Sequence, residues 1–194
     1  MEQKRYSYTN FVTCTLGGKF VRNNLQFFLK EEYAEANMKG ITLLSKNQFA
    51  DHHTFVDHQA PNCQSNELYK GIFDEYSKGV FNGKIMVRPH AQKTNAFQQN
   101  NNILLSDTAS IDTKPELEIY ADDVKCSHGC TVGQLDTEAL FYLRSRGIPE
   151  KEAIALLLFA FKHDVLQEVQ VDAVKKRLNK IIGQKLGVGL DFDL

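Results

Sequence analysis

The chain has 194 residues and a formal net charge of -1, with 42% hydrophobic and 24% charged residues. These values are ordinary for a globular protein, so they exclude a disordered chain, a disulfide-rich miniprotein and a protein that binds polyanions through its net charge. The longest apolar run, residues 153–161, is too short to span a bilayer, and no apolar signal region follows the first residues. Four cysteines without framework spacing indicate a reducing compartment, so we expect a cytoplasmic protein with free thiols.

The first two thirds of the chain predict short strands. Aromatic and β-branched residues dominate residues 5–16, and shorter apolar segments follow up to residue 120, with one weak helix candidate at residues 30–38. Short strands with polar corners are typical of a sandwich, a barrel or a β-helix, and periodicity alone does not choose between them. The residues interpreted as turns are Asn23-Asn24, Gly40, Pro61-Asn62, Gly79, Asn82-Gly83 and Asn100-Asn101-Asn102.

After Gly133 the pattern becomes helical. Asp136 is a favourable N-cap for a first helix, and Gly147 supplies the left-handed residue that ends it. Pro149 suits the first turn of a second helix, and a third is predicted for about residues 172–182. We therefore divide the chain into a β region, 1–133, and a helical domain, 134–194, with a frayed tail at 187–194. The third helix is expected to bury Val171, Val174, Leu178, Ile181 and Ile182.

The junction of the two regions, residues 119–147, concentrates reactive side chains. Cys126, His128 and Cys130 occupy alternate positions, so an extended segment places all three on one face of a strand. Two interpretations stay open on spacing alone. One is that one or two of the three are simply small buried side chains, and the other is a soft site in which thiolate and imidazole hold iron, a cluster or persulfide sulfur.

Other motifs are weaker. His52, His53 and His58 are close in sequence but lack the spacing of a metal site, so we predict polar contacts in strands and turns. Asp122 and Asp123 suit a solvated turn better than an acid–base pair. The sequence contains no GxSxG, HExxH, glycine-rich phosphate loop or paired CxxC motif.

Five segments resemble the SufB/SufD family of iron–sulfur cluster assembly proteins. They are FNGKI at 81–85, QKT at 92–94, LLSD at 104–107, DTKPELEIYADDVKCSHG at 112–129 and ALFYLRSRGI at 139–148. The resemblance covers roughly residues 49–165, and the K-C-x-H-G form is that of the SufD branch. It implies a mainly β fold, a right-handed parallel β-helix followed by a small C-terminal α-helical domain. It also implies that this chain is a fragment without the family's N-terminal helical region.

The same resemblance implies a function. A SufD-type subunit pairs with a SufB-like subunit through the β-helix, and its C-terminal helices bind a SufC-like ABC-type ATPase whose movement opens the SufB–SufD interface. The motif histidine, here His128, faces that interface with Cys126 beside it, whereas Cys130 replaces a usual alanine and is interpreted as a substitute for a small core residue. We expect no tightly bound cofactor in the isolated chain, and transient iron or an iron–sulfur cluster in the complex, with His128 as the candidate metal ligand.

The predicted function is a non-enzymatic scaffold. On the first helix, we predict that Phe141, Tyr142, Arg144 and Arg146 help to dock the ATPase, with ordinary helix packing as the alternative for the apolar members. Two other functions remain open. A carbohydrate-active β-helix enzyme would need a row of acids in a groove, and no such row is assigned. A homodimeric interaction module would use the same edge that meets the SufB-like subunit.

Overall fold

The structure is a computed structural model that describes residues 1–187, so all but the first residue of the predicted frayed tail lies outside the described residues. Within residues 1–187 there are ten strands followed by three helices. The elements are β1 Glu2–Gln3, β2 Tyr8–Thr15, β3 Phe20–Leu29, β4 Glu35–Leu44, β5 Phe49–His58, β6 Gln64–Phe73, β7 Lys78–Val87, β8 Asn95–Leu104, β9 Ser110–Ile119, β10 Lys125–Gly133, α1 Thr137–Ser145, α2 Glu150–Leu166 and α3 Asp172–Lys185.

The strands form two wholly parallel sheets, in the orders β1-β3-β5-β7-β9 and β2-β4-β6-β8-β10. Successive strands therefore alternate between the sheets, which is the geometry of a β-solenoid. In the second sheet Glu35 pairs with Gln64, Gln64 with Asn95, and Asn95 with Lys125, so each turn advances about 30 residues. The predicted β-helix with C-terminal helices is confirmed.

Most strands are ten residues long and run through positions that were interpreted as turns. The helix predicted for residues 30–38 is also wrong, because β4 begins at Glu35 and the residues before it form a corner. Packing explains the glycine at residue 40, since a Cβ there would lie 2.3 Å from the ring of Tyr69 on the next turn. The incorrectly assigned turn residues are Asn23, Asn24, Gly40, Gly79, Asn82, Gly83 and Asn100 to Asn102.

One corner of the solenoid repeats the same backbone conformation. Tyr6, Tyr33, Asn62 and Lys93 each lie two residues before a strand of the second sheet, with φ angles of 59°, 60°, 60° and 62°. Non-glycine residues with positive φ are uncommon, so their recurrence at one corner shows that the stacking of turns imposes the conformation. The rings of Tyr6 and Tyr33 stack with their centroids 5.1 Å apart. The predicted turn at Pro61-Asn62 is thereby confirmed.

The solenoid interior is built from alternate residues of strands β3 to β8, as the period of two requires. Ala34, Cys63 and Thr94 occupy equivalent buried positions just before three strands of the second sheet. Cys63 is thus a small core residue, and its Sγ donates to the backbone oxygen of Glu31 at 3.2 Å. The main interior cluster consists of Phe27, Leu29, Ala34, Ala36, Met38, Val56, Ala60, Cys63, Tyr69, Phe81, Ile85, Val87, Ala91, Ala96 and Ala121.

The predicted helix signals are confirmed. The Asp136 carboxylate accepts hydrogen bonds from the backbone N–H groups of Glu138 and Ala139 at 2.9 and 3.1 Å, which satisfies two donors that no helical carbonyl reaches. Gly147 has a φ of 86°, which a residue with a side chain rarely adopts. Pro149 directly precedes α2.

Helix α2 lies against the outer face of β4 and β6. Lys70 of β6 donates to the backbone oxygen of Phe161 at 2.8 Å and to the carboxylate of Asp164 at 2.6 Å, so a nearly buried cation joins the helix to the sheet. The apolar contact comprises the buried residues Ile41, Leu43, Ile72, Leu158, Val165, Leu166 and Ile182.

Helix α3 buries fewer residues than the sequence predicts. Ile182 is buried, and Leu178 and Ile181 are half-buried, but Val171 and Val174 are exposed. The prediction for the two valines is wrong because only the later part of the helix reaches the cluster on the sheet. Among residues 1–187 we find no helix with the length and apolar character to cross a bilayer.

Candidate functional site

The last turn of the solenoid places the predicted reactive residues in one column. Strand β10 pairs in parallel with β8, with Cys126 opposite Ala96, His128 opposite Gln98 and Cys130 opposite Asn100. The three β8 residues are buried in the solenoid interior, so Cys126, His128 and Cys130 occupy the inward-facing positions of the next turn. The expected single face is confirmed.

Lack of a further turn leaves this column open to solvent. Within residues 1–187, β9 has β7 as its only ladder partner and β10 has β8, so each keeps one free backbone edge. His128 and Cys130 are exposed, and Cys126 is half-buried. The prediction that Cys130 fills a core position is wrong in this respect, because no strand lies over it in this part of the chain.

Cys126 is half-buried and packs against the interior cluster. Burial raises the pKa of its thiol, and a hydrogen bond with the backbone of Ala96 opposes this effect more weakly. A thiol with a raised pKa is protonated at neutral pH and is a poor nucleophile or metal ligand. His128 differs, because its imidazole is exposed and no hydrogen bond within residues 1–187 holds the ring.

The other histidines do not converge. His52 faces the interior, with Nδ1 3.2 Å from Asn23 Nδ2 and Nε2 3.0 Å from Thr42 Oγ1. The ring of His58 lies 2.8 Å from the hydroxyl of Ser65. Burial lowers the pKa of both imidazoles to about 4, which keeps them neutral.

His53 takes a separate position, where its ring lies 2.9 Å from the Asp51 carboxylate. The predicted strand contacts for His52, His53 and His58 are therefore confirmed. Within residues 1–187, no group of three or more His, Cys, Asp or Glu side chains is arranged to hold a metal ion.

The two neighbouring aspartates lie at the corner before β10. Asp123 is exposed, pairs with Lys93 and donates its backbone N–H to the Gln92 side-chain oxygen at 2.9 Å. Asp122 is also exposed. This arrangement is the solvated turn that the sequence predicts, and it places no carboxylate pair in the β10 column.

Helix α1 presents the predicted docking residues to solvent. Phe141 is 74% and Tyr142 is 56% exposed, and no residue of the helix is buried. Arg146 lies over the Tyr142 ring at 5.1 Å and donates to its hydroxyl at 3.1 Å, while Arg144 lies 3.6 Å from Glu150. Both aromatic side chains are therefore mostly exposed, although Tyr142 contacts Arg146.

Sequence reasoning missed the polar residues beneath the column. Glu67 and Gln98 face the interior and are 1% and 2% exposed, and the Gln98 Nε2 donates to Glu67 Oε2 at 2.6 Å. Burial raises the pKa of the Glu67 carboxyl to about 7. The signal available in the sequence was the polar run at residues 98–102 of β8, of which only residues 100–102 were interpreted, as a turn.

Comparison with known proteins agrees with this architecture. Residues 1–161 match the family described as SUF system FeS cluster assembly, SufBD core domain. The chain is 41% identical over 174 residues to the iron–sulfur cluster assembly protein SufD of Escherichia coli, covering 90% of this chain and 41% of that protein. It is also 41% identical over 181 residues to a SufBD family iron–sulfur cluster assembly protein of Synechocystis, covering 93% of this chain and 39% of the relative.

Fold and site together define a parallel β-solenoid whose open last turn presents thiols and an imidazole, followed by a helical segment. The chain belongs to the SufB/SufD family of iron–sulfur cluster assembly proteins, and its similarity is to the SufD branch. It spans about two fifths of the length of the two relatives named above, 41% and 39%.

Proposed function

We propose that this chain is a non-enzymatic scaffold component of a SUF iron–sulfur cluster assembly complex. The observation that carries the proposal is the open last turn, where His128 stands at an inward-facing position beside free strand edges. In this proposal a SufB-like subunit covers the turn, and a SufC-like ATPase binds the helices. Because all four cysteines are free thiols, we also propose a cytoplasmic location.

Exposed strand edges favour pairing with another chain. The backbone N–H and C=O groups along a free edge can form a ladder with a partner strand, and soluble proteins normally cover or blunt such edges. Docking on β9 and β10 would convert the column of Cys126, His128 and Cys130 from an exposed surface into a buried seam. A buried seam protects bound iron from water, and separation of the subunits releases it.

The side-chain chemistry makes His128 the principal residue. Neutral imidazole binds iron through a ring nitrogen without first losing a proton. Cys126 would have to lose a proton that its burial retains, so we assign it a supporting role at the interface. Iron, or the nascent cluster, is the cargo of this site, and the complex holds it transiently.

Helix α1 supports the proposed contact with the ATPase. Phe141 and Tyr142 add apolar area, while Arg144 and Arg146 add positive charge, and such aromatic and arginine side chains are enriched in protein interfaces. ATP hydrolysis belongs to the partner in this proposal. The ion pair and hydrogen bonds of Lys70 join α2 to β6, and they supply a direct mechanical path from the helices to the sheet that contains β10.

Co-expression with SufB-like and SufC-like proteins, followed by size-exclusion chromatography with light scattering, tests the assembly. The wild-type chain should co-elute with both proteins. Tyr142→Ala should weaken retention of the ATPase and keep the SufB-like subunit. Tyr76→Ala is the matched control, because it shortens a tyrosine that is 64% exposed at a distant corner, and it should retain both. Absence of any complex with the wild-type chain would refute the proposal.

The role of His128 is tested in the assembled complex. His128→Ala should leave the subunit composition unchanged and lower the iron and sulfide recovered with the complex. His90→Ala removes another exposed imidazole, from a corner outside the column, and should leave both unchanged. Equal amounts of iron and sulfide in the wild-type and His128→Ala complexes would refute the proposal that His128 binds the cargo.

The same free edges also favour a homodimer of the isolated chain. Two copies that meet through β9 and β10 would bury the edges that the SufB-like subunit otherwise covers. Light scattering of the chain alone measures this state. A dimer that dissociates when the SufB-like protein is added would indicate that both partners use one surface.

A further inference from the structure

Two polar side chains lie beneath His128 in the interior of the solenoid. The inward-facing residues in register with His128 on the preceding turns are Gln98, Glu67 and Met38. All three are buried, and neighbouring strands in a sheet lie about 4.8 Å apart. Gln98 is therefore the first side chain beneath His128, and Glu67 is the second.

Of the two polar atoms of the Gln98 amide, only the nitrogen makes a hydrogen bond within residues 1–187. Its Nε2 donates to Glu67 Oε2 at 2.6 Å, which orients the amide. Its Oε1 is buried and has no hydrogen-bond partner within residues 1–187. A buried acceptor without a donor is costly, and native structures rarely leave one without a role.

The opposite sheet is shaped to admit this amide. A Cβ at Gly83 of β7 would lie 2.4 Å from Gln98 Nε2 and 2.8 Å from the Phe81 ring, so a side chain at this position would displace the amide. The glycine of the FNGKI segment thus leaves the space that the amide occupies, and its backbone is not in the left-handed region. Gly83 and Glu67 together hold the Gln98 side chain in one place.

We propose that Gln98 is a positioning residue for His128: the exposed ring, which makes no hydrogen bond within residues 1–187, turns toward the interior and donates its N–H to the unpartnered Gln98 Oε1. An imidazole that donates from one nitrogen presents the lone pair of the other, and histidine ligands of metals are commonly oriented in this way. The ring thereby adopts a single tautomer with its free nitrogen directed away from the interior. The importance of that nitrogen for iron rests on the proposed function, whereas the hydrogen bond itself does not.

The test uses the ring nitrogens of His128 in the chain labelled with 15N-histidine. Long-range 1H–15N spectra at about pH 8.5, above the ordinary pKa of imidazole, distinguish the two neutral tautomers, and His128→Ala assigns the signal. In the wild-type chain one tautomer should dominate. In Gln98→Met, which keeps the length of the side chain and removes the amide, the two nitrogen shifts should move toward the averaged values of a tautomer mixture.

Asn102→Leu is the matched control. Asn102 is a second buried amide of β8 with an unpartnered side-chain oxygen, but it lies opposite Val132. The Asn102→Leu variant should therefore leave the His128 nitrogen signals unchanged. If Gln98→Met does not fold, Gln98→Asn is the second variant. Its side chain is shorter by one methylene group, which moves the amide oxygen away from His128 and should produce the same tautomer mixture. A tautomer mixture in the wild-type chain would overturn the assignment. The same holds if Asn102→Leu moves the His128 nitrogen shifts as far as Gln98→Met does.

A second measurement separates this inference from the proposed function. In the assembled complex, Gln98→Met should weaken Fe²⁺ binding about tenfold, the lower end of the effect of removing a hydrogen-bond partner of a histidine ligand. If the wild-type complex does not form, the proposed function fails while the tautomer result still decides the role of Gln98. If the complex forms and binds Fe²⁺ equally with both chains, the positioning role fails and the scaffold function stands.

Discussion

Glu67→Gln should change the pH dependence of stability, because the carboxyl of Glu67 is buried and forms no ion pair with a cation among residues 1–187. Burial raises its pKa from 4.5 to about 7, so the folded chain holds a proton that the unfolded chain releases. The stabilisation from that proton is complete below about pH 4.5 and is lost as the pH rises through about 7. A difference of about 2.5 pKa units at 1.36 kcal/mol each corresponds to about 3 kcal/mol. Glutamine has the same shape and no proton to lose.

Urea unfolding followed by far-UV circular dichroism at about pH 5, 6, 7 and 8 measures this effect. The free energy of unfolding of Glu67→Gln, relative to wild type, should rise by up to about 3 kcal/mol across the series. His52 and His58, whose pKa values burial lowers to about 4, destabilise both proteins in acid and cancel in the difference. A difference that stays constant with pH would show that Glu67 does not bind a proton on folding, and the reasoning would be refuted.

Three further predictions concern packing and exposure. Gly40→Ala should lower the urea midpoint and cost about 1–3 kcal/mol, because its Cβ meets the Tyr69 ring; an unchanged midpoint would contradict the close approach. Leu158→Ala should cost about 2–5 kcal/mol in the same assay, since the side chain fills the cluster between α2 and the sheet, and a loss below 1 kcal/mol would argue against that packing. In the native chain, iodoacetamide followed by peptide mass spectrometry should label exposed Cys130 well before buried Cys63, and equal rates would contradict their placement.

Features encoded within a few residues were predictable. Asp136 and Gly147 delimit the first helix through hydrogen bonds and backbone angles that depend on adjacent residues. The shared face of Cys126, His128 and Cys130 follows from the period of two in any strand. The solenoid was predicted from the resemblance to the SufB/SufD family, because periodicity alone did not distinguish a solenoid from a sandwich or a barrel.

Features that depend on contacts between turns were predicted incorrectly. Gly40 and Gly83 resemble turn residues in the sequence, but they lie inside strands. Glycine suits these positions because Tyr69 and Gln98 occupy the space that a side chain there would fill. The partners come from other strands. The residues adjacent to each glycine in the sequence therefore do not indicate which side chain it contacts.

The helix caps, the alternation in β10 and the family membership could all be predicted from residues that are close together along the chain. The exposure of Cys130, the burial that raises the pKa of the Cys126 thiol, and the position of Gln98 beneath His128 could not be predicted in this way. The physical reason is the register of a parallel solenoid. Residues about 30 positions apart become neighbours only when one turn stacks on the next, and their burial depends on whether another turn follows.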